Sequence, residues 1–311
     1  MSNTLKVPFT VSTDIPLGRR AEAFVRDAGA DVVIQSGFVP ESIVEEKKPL
    51  QTHQHNGDRV LIAPPIGVRF LIEDGCRITY DRAPGVADRE VLLFLLGSAW
   101  GALVYQRDLL PLHASGVIEG DAVTGFTGHS GAGKSTLSAQ LAARGYPFFT
   151  DDVLIVDPSS LGDKAICFTG QKDLKLWENS FEFAGAERTG PVRDAEGFEK
   201  FYADPASQTD QSVGSLRRLY LLTEPKGSAV SDPISISPLK GGQAVLQMSA
   251  AVYRPNFAMD IVGRPKLYQW LGKLVQHVEV FDFKRPKEAA MFSDATDYLE
   301  EHMKSPTQAA A

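Results

Sequence analysis

The run Gly128-His129-Ser130-Gly131-Ala132-Gly133-Lys134-Ser135 sets two glycines around four residues and follows them with Lys and Ser. That is the Walker A pattern of a phosphate-binding loop. Its glycines let successive backbone N–H groups converge on phosphate oxygens, and the helix that follows turns its positive end to the same anion. Lys134 has the reach for the β- and γ-phosphates, and the Ser135 hydroxyl suits a hard cation such as Mg²⁺. Further along, Asp151 and Asp152 form a pair of adjacent carboxylates. Phosphoryl transfer to a hydroxyl needs one carboxylate to hold metal and another to accept the proton. His113 precedes the loop, while His129 occupies one of its variable positions and reads as exposed filler. His53 and His55 read as a solvated loop pair, and His277 and His302 have no evident partners.

Elements that would position these residues are legible in the periodicity. A strand-like run at 122–126 enters the loop, and a helix with Leu137, Leu141 and Ala142 on one face leaves it, with Gly145 as its stop. The run 113–118 pairs with 122–126 across Glu119-Gly120-Asp121, a hairpin signal. A short strand at 147–149 delivers the two aspartates, and 153–156 reads as its continuation. Upstream, Val68, Phe70 and Ile72 face Cys76, Ile78 and Tyr80 across Asp74-Gly75, a second hairpin. Residues 36–56 read as a polar loop. Asp88 stands at a helix N-cap position, ahead of an apolar run that ends near Arg107 and bridges two domains. Residues 179–214, rich in Gly, Ala, Asp, Glu and Ser, read as a long surface loop. Leu267, Trp270, Leu271, Leu274 and Val275 recur at helical spacing, and the chain after Met303 reads as a frayed tail.

With these features assembled, the segment 112–156 resembles the catalytic domain of HPr kinase/phosphorylase. The likeness lies in the Leu112-His113-Ala114 strand, the hairpin, the P-loop, the short helix ending in Arg144-Gly145, and the Asp151-Asp152 pair. The intervals from His113 to Gly128 and from Lys134 to Asp151 are similar too. The resemblance implies an α/β fold: a P-loop kinase domain whose mixed sheet is of the HPr kinase and phosphoenolpyruvate carboxykinase type, over 88–303. A small, mostly-β domain over 1–87, suited to acceptor recognition, precedes it, and 304–311 form a disordered tail. It also implies ATP- and Mg²⁺-dependent phosphorylation of a serine-type hydroxyl. Carried over residue by residue, Gly128, Ser130, Gly131, Ala132, Gly133, Lys134, Ser135 and Thr136 hold the nucleotide, with Lys134 also catalytic. Asp151 is then the base, His113 supports it, and Ser135 and Asp152 hold the metal, with the two aspartates' roles still interchangeable.

The sequence departs from that family in lacking its Arg-Gly-Leu-Gly signature, its phosphorolysis segment and its N-terminal domain. It is more similar to divergent HPr-kinase-like proteins, through Gly97-Ser98-Ala99, Gln106-Arg107 and the stretch 172–177. Some of those act in lasso-peptide pathways on a peptide precursor, so the resemblance implies a peptide or small-protein acceptor rather than HPr.

Bulk composition narrows the alternatives. A net charge of −7 over 311 residues offers no broad attraction to nucleic acid or anionic membrane, and neither is expected as a partner. The apolar run 91–104 is interrupted by Gly97, Ser98 and Gly101 and falls short of the ~20 residues a membrane span requires. The first sixteen residues lack a signal peptide's apolar core, so a soluble cytoplasmic protein is expected. Cys76 and Cys167 are too few for a disulfide framework or zinc ribbon and read as buried small hydrophobes. Homo-oligomerisation stays open. Two other functions compete: a kinase for a small hydroxylated metabolite, and a nucleotide-dependent switch. A switch has no use for a proton acceptor, so the two aspartates and His113 weigh against it.

Overall fold

The structure is a computed structural model that describes residues 6–18, 21–45, 53–170, 172–193, 196–225 and 233–305. Its first layer is a six-stranded sheet of β1 (Val11–Thr13), β2 (Val32–Ser36), β3 (His53–Asn56), β4 (Arg59–Ile62), β5 (Val68–Glu73) and β6 (Arg77–Arg82), in the order β1-β2-β6-β5-β4-β3. The hairpin β5–β6 turns at Asp74 (φ 55°) and Gly75 (φ 61°), two left-handed residues in succession, as a type I′ turn demands.

A continuous helical rod follows: α1 (Asp88–Phe94), one π-helical turn (Leu95–Ala99) and α2 (Trp100–Gln106). Asp88 is its first residue and Ala87 the cap, so the Asp88 carboxylate is free of capping and pairs with Arg82 instead. Trp100 is fully buried, its ring 5.3 Å from Phe9 and 5.2 Å from Phe24. One apolar cluster therefore runs from the first sheet through the rod into the second.

The second sheet contains β7 (Leu110–Leu112), β8 (Ala114–Glu119), β9 (Ala122–Thr127), β10 (Phe148–Thr150), β11 (Leu154–Val156), β12 (Ile166–Thr169), β16 (Val213–Thr223), β17 (Ser235–Leu239) and β18 (Glu279–Lys284). It is mixed: β9 is antiparallel to β8 and parallel to β16, which is parallel to β18. Between β9 and β10 lies α3 (Lys134–Ala143), stopped where Gly145 turns left-handed at φ 94°. A small third sheet, in the order β13-β15-β14, is made of β13 (Leu174–Trp177), β14 (Ala186–Pro191) and β15 (Lys200–Pro205), with α4 (Phe181–Ala184) beside it. The remaining helices are α5 (Gly241–Ser249), α6 (Pro255–Ile261), α7 (Arg264–His277) and α8 (Phe292–Lys304). As the periodicity requires, α7 buries Leu267, Trp270, Leu271 and Leu274. Among the described residues no helix is long and apolar enough to cross a membrane.

Several expectations are corrected. Residues 153–156 do not prolong the strand before them: β10 pairs with β8, whereas β11 pairs with β7 and β12. The reversal occurs at Asp152, whose φ is +67°. Residues 179–214 are not a loop but carry most of the third sheet. The misleading polar composition belongs to β14, an edge strand that turns mostly to solvent. Cys167 is buried, and burial pushes its thiol up, but Cys76 is exposed in a hairpin turn. His53 is not in a solvated loop; it is buried on β3 with Nε2 2.6 Å from Asp260. His302 also has a partner, the Tyr220 hydroxyl at 2.8 Å. Positions 46–52 of the expected polar loop, and 306–311 of the expected tail, lie outside the described residues.

Candidate functional site

The loop between β9 and α3 curls as its glycines permit. Gly128, Gly131 and Gly133 have φ of 149°, 81° and 83°. Two of these positions are also crowded. A Cβ on Gly128 would lie 2.9 Å from the Leu222 carbonyl oxygen, and one on Gly133 would lie 2.5 Å from Nη2 of Arg285. Lys134 opens α3 and folds back over the loop, donating to the carbonyls of Gly128 (3.1 Å) and His129 (3.3 Å). Burial draws its ammonium below the ordinary lysine range, against the pull of Asp151 and Asp152. Ser130 and Gly131 are exposed at the loop's tip, and Ala132 is buried beneath it. The Thr136 hydroxyl bonds to Ser180 and not to the loop. His129 is exposed and lies 3.2 Å from Glu224.

The left-handed turn at Asp152 gives two neighbouring carboxylates different surroundings. Asp151 is 2% exposed and accepts from the Ser135 hydroxyl (2.8 Å), the Ser115 hydroxyl and the Lys175 backbone N–H (3.1 Å). Asp152 has 31% of its side chain exposed and meets His113, whose Nδ1 lies 3.2 Å from its Oδ1 and 3.1 Å from its backbone oxygen. Both neighbours of Nδ1 are acceptors, so Nδ1 carries the proton. The Lys175 ammonium is 3.8 Å from the other Asp152 oxygen. Burial works against the charged form of Asp152, yet His113, Lys175 and Lys200 together hold its carboxyl well below the usual range. The structure thus brings His113, Lys134, Ser135, Asp151 and Asp152 together, with His113 against Asp152 rather than Asp151.

Sequence reasoning missed Ser115, Lys175, Lys200 and Tyr253. Lys175 lies in the stretch 172–177 noted for its similarity, but its strand and the side that strand faces were not legible. Lys200 sits on the neighbouring strand β15 and acts electrostatically on both Lys134 and Asp152. Tyr253, from the segment before α6, lies with its ring 6.0 Å from that of His113. Tyr253 can approach because the rod is bare there: a Cβ on Gly101 would stand 3.0 Å from the Tyr253 ring, and one on Gly97 3.3 Å from its hydroxyl. Behind the loop, Arg285 is 3% exposed and donates through Nη2 to the Ala132 carbonyl at 2.7 Å. Its Nε and Nη1 are buried without a hydrogen-bond partner among the described residues.

Ser135 and Asp151 together offer hard oxygen donors, which fit Mg²⁺ and not a soft metal. No group of three or more His, Cys, Asp or Glu among the described residues could cage a metal by itself.

No family model matches the chain, and no curated protein matches it. Among solved structures, it is similar to the HPr(Ser) kinase/phosphatase from Coxiella burnetii, at 14% sequence identity and a TM-score of 0.33, over 62% of this chain and 89% of that one. The assignment of a function therefore has to come from the residues gathered around the loop.

Proposed function

We propose that the protein is an ATP- and Mg²⁺-dependent kinase that phosphorylates a serine-type hydroxyl on a peptide or small protein. The observation that carries this reading is the pairing of Asp151 with the loop's Ser135 while its neighbour Asp152 faces His113 and Lys175. A nucleotide switch needs the first contact but not the second.

In this reading the triphosphate lies along the backbone N–H groups of the loop and the first turn of α3, with Lys134 leaving its carbonyl contacts for the β/γ oxygens. Ser135 and Asp151 would hold Mg²⁺, which when bound would offset phosphate charge. Asp152 accepts the proton of the acceptor hydroxyl. The freed oxygen bonds to the γ-phosphorus, the bond from that phosphorus to the β,γ-bridging oxygen breaks, and ADP departs with the electron pair. Lys175 and Lys200 offset negative charge as it spreads over the transferring group. This assigns the base to Asp152 and the metal to Asp151, the reverse of what the resemblance implies. The support is spatial: Asp151 is closed in by three donors, whereas Asp152 is open enough to meet a hydroxyl.

The test is calorimetry with ATP and Mg²⁺ alongside transfer of label from γ-labelled ATP to candidate peptides. Lys134→Ala should abolish both binding at micromolar ATP and transfer. Unchanged binding with unchanged turnover would remove the nucleotide from this loop.

A further inference from the structure

A cavity of about 290 Å³ opens between the first sheet, the rod and the start of α6. His53 and Ile62 line it from the first sheet, Phe94 and Ser98 from the rod, and Arg254 and Phe257 from the start of α6. Its polar and apolar groups are held in place. His53 is fixed by Asp260 at 2.6 Å and packs its ring 4.4 Å from that of Phe257. Arg254, the residue that caps α6, has φ +49°, a left-handed conformation that an arginine rarely adopts. No carboxylate among the described residues pairs with it, and its guanidinium carbon lies 5.5 Å from the Tyr253 ring centroid. The cavity is thereby linked to the transfer site through Arg254, Tyr253, His113 and Asp152.

We infer that this cavity is a docking subsite for the acceptor. It takes an apolar side chain of a peptide, while Arg254 binds a carboxylate of the same peptide near the serine presented to Asp152. The volume lies just below the usual range of about 300–1,000 Å³ for a whole small-molecule ligand. It suits one large apolar side chain with a piece of backbone. Phe94, Ile62 and Phe257 supply the apolar walls, and an exposed guanidinium without a carboxylate partner supplies a bidentate site for an anion. The inference rests on the kinase reading above and extends it to the acceptor's chemistry: a serine flanked by an apolar and an acidic residue.

The experiment uses pools of nine-residue peptides with one central serine, the other positions being glycine except for two. One pool carries Leu and Glu at every pair of those positions; the others carry Ala and Glu, or Leu and Lys. Binding of each pool to the full chain is measured by calorimetry without nucleotide, and label transfer is measured with it. The Leu/Glu pool is expected to bind about ten-fold or more tightly than either control, as loss of a charge-assisted contact would give for Leu/Lys and loss of buried apolar surface for Ala/Glu. Arg254→Gln should remove the preference for Glu over Lys, and Arg254→Glu should reverse it. Ser98→Leu, which narrows the cavity, should remove the preference for Leu over Ala. ATP affinity should stay the same in all three variants. Equal affinity for the three pools, no binding of any pool, or a charge preference untouched by Arg254→Glu would overturn the inference. Loss of ATP binding by the unmodified chain would instead overturn the kinase reading, and the nucleotide-free peptide measurements would still decide the subsite.

Discussion

Asp151 and Asp152 are adjacent in sequence and chemically different in place, because one left-handed residue turns their carboxylates apart. Asp152→Asn should leave ATP affinity nearly intact and slow transfer by about 10²–10⁴-fold, the usual contribution of a positioned base. Asp151→Asn should raise the Mg²⁺ concentration needed for activity, since an anionic oxygen ligand is lost. Single-turnover transfer at saturating ATP across a Mg²⁺ titration separates the two. Rescue of Asp152→Asn by Mg²⁺, with none for Asp151→Asn, would exchange their roles. Arg285 makes a different case. It is a buried cation with no ion pair within reach among the described residues, and burial lowers it to about 10 against the pull of Glu224. Removing such a charge need not destabilise a fold. Arg285→Met still leaves the Ala132 carbonyl unpaired at a cost of about 1–3 kcal/mol in melts, and it should weaken ATP binding, because a positive charge behind the loop is gone. A variant that melts early but binds ATP normally would make Arg285 a packing residue only.

At the scale of elements, the rod α1–α2 links the two large sheets and also sets the position of the site. Its glycines leave room for Tyr253, which leans on His113. Gly101→Ala should push the Tyr253 ring aside, with an overpacking cost of about 1–3 kcal/mol, and should slow transfer more than it weakens nucleotide binding. Denaturant melts paired with single-turnover rates read both effects. On the far side of the sheet, Arg218 is 2% exposed and joins Glu119 of β8 (2.9 Å) to Glu279 of β18 (3.0 Å), while also donating to the Met303 and Ser305 carbonyls near the end of α8. Arg218→Met would remove the buried cation that lies between two carboxylates. A loss of about 3–5 kcal/mol in denaturant unfolding is expected, larger than for the half-buried Arg217 paired with the exposed Asp121.

For the whole molecule, the question is whether the first sheet is a separable domain. Trp100 belongs to the rod but is packed against Phe9 and Phe24, and the apolar cluster shows no break at residue 87. A chain beginning at Val86 would expose that tryptophan and the face of the rod around it, so it should fail to fold by itself. Circular dichroism melts and fluorescence of the shortened chain would show this; a cooperative melt with normal ATP binding would instead support the two-domain division. Trp100→Ala in the full chain should cost about 3–5 kcal/mol, the cost of emptying a large buried site.

Local signals were sufficient for the hairpins at Asp74-Gly75 and at Glu119-Gly120-Asp121, for the helix after Lys134 and for the amphipathic α7, because turn chemistry and periodicity act between near neighbours. The glycine spacing of the loop likewise told its own curvature. Beyond that range the sequence was silent or misleading. Nothing local in Asp151-Asp152 says which carboxylate is buried. That follows from where Ser115, Ser135 and Lys175 arrive, from three different elements. Lys175 and Lys200 reach the site only because β13 and β15 pair, and the segment 179–214 that holds Lys200 read as loop because its edge strand is polar on its solvent side. Tyr253 and Arg254 come from more than a hundred residues past the loop. They meet His113 and the cavity only because the glycines of the rod let a distant segment pack against it. Burial, charge partners and the docking cavity depend on contacts between segments far apart in the chain, and only the tertiary structure could supply them.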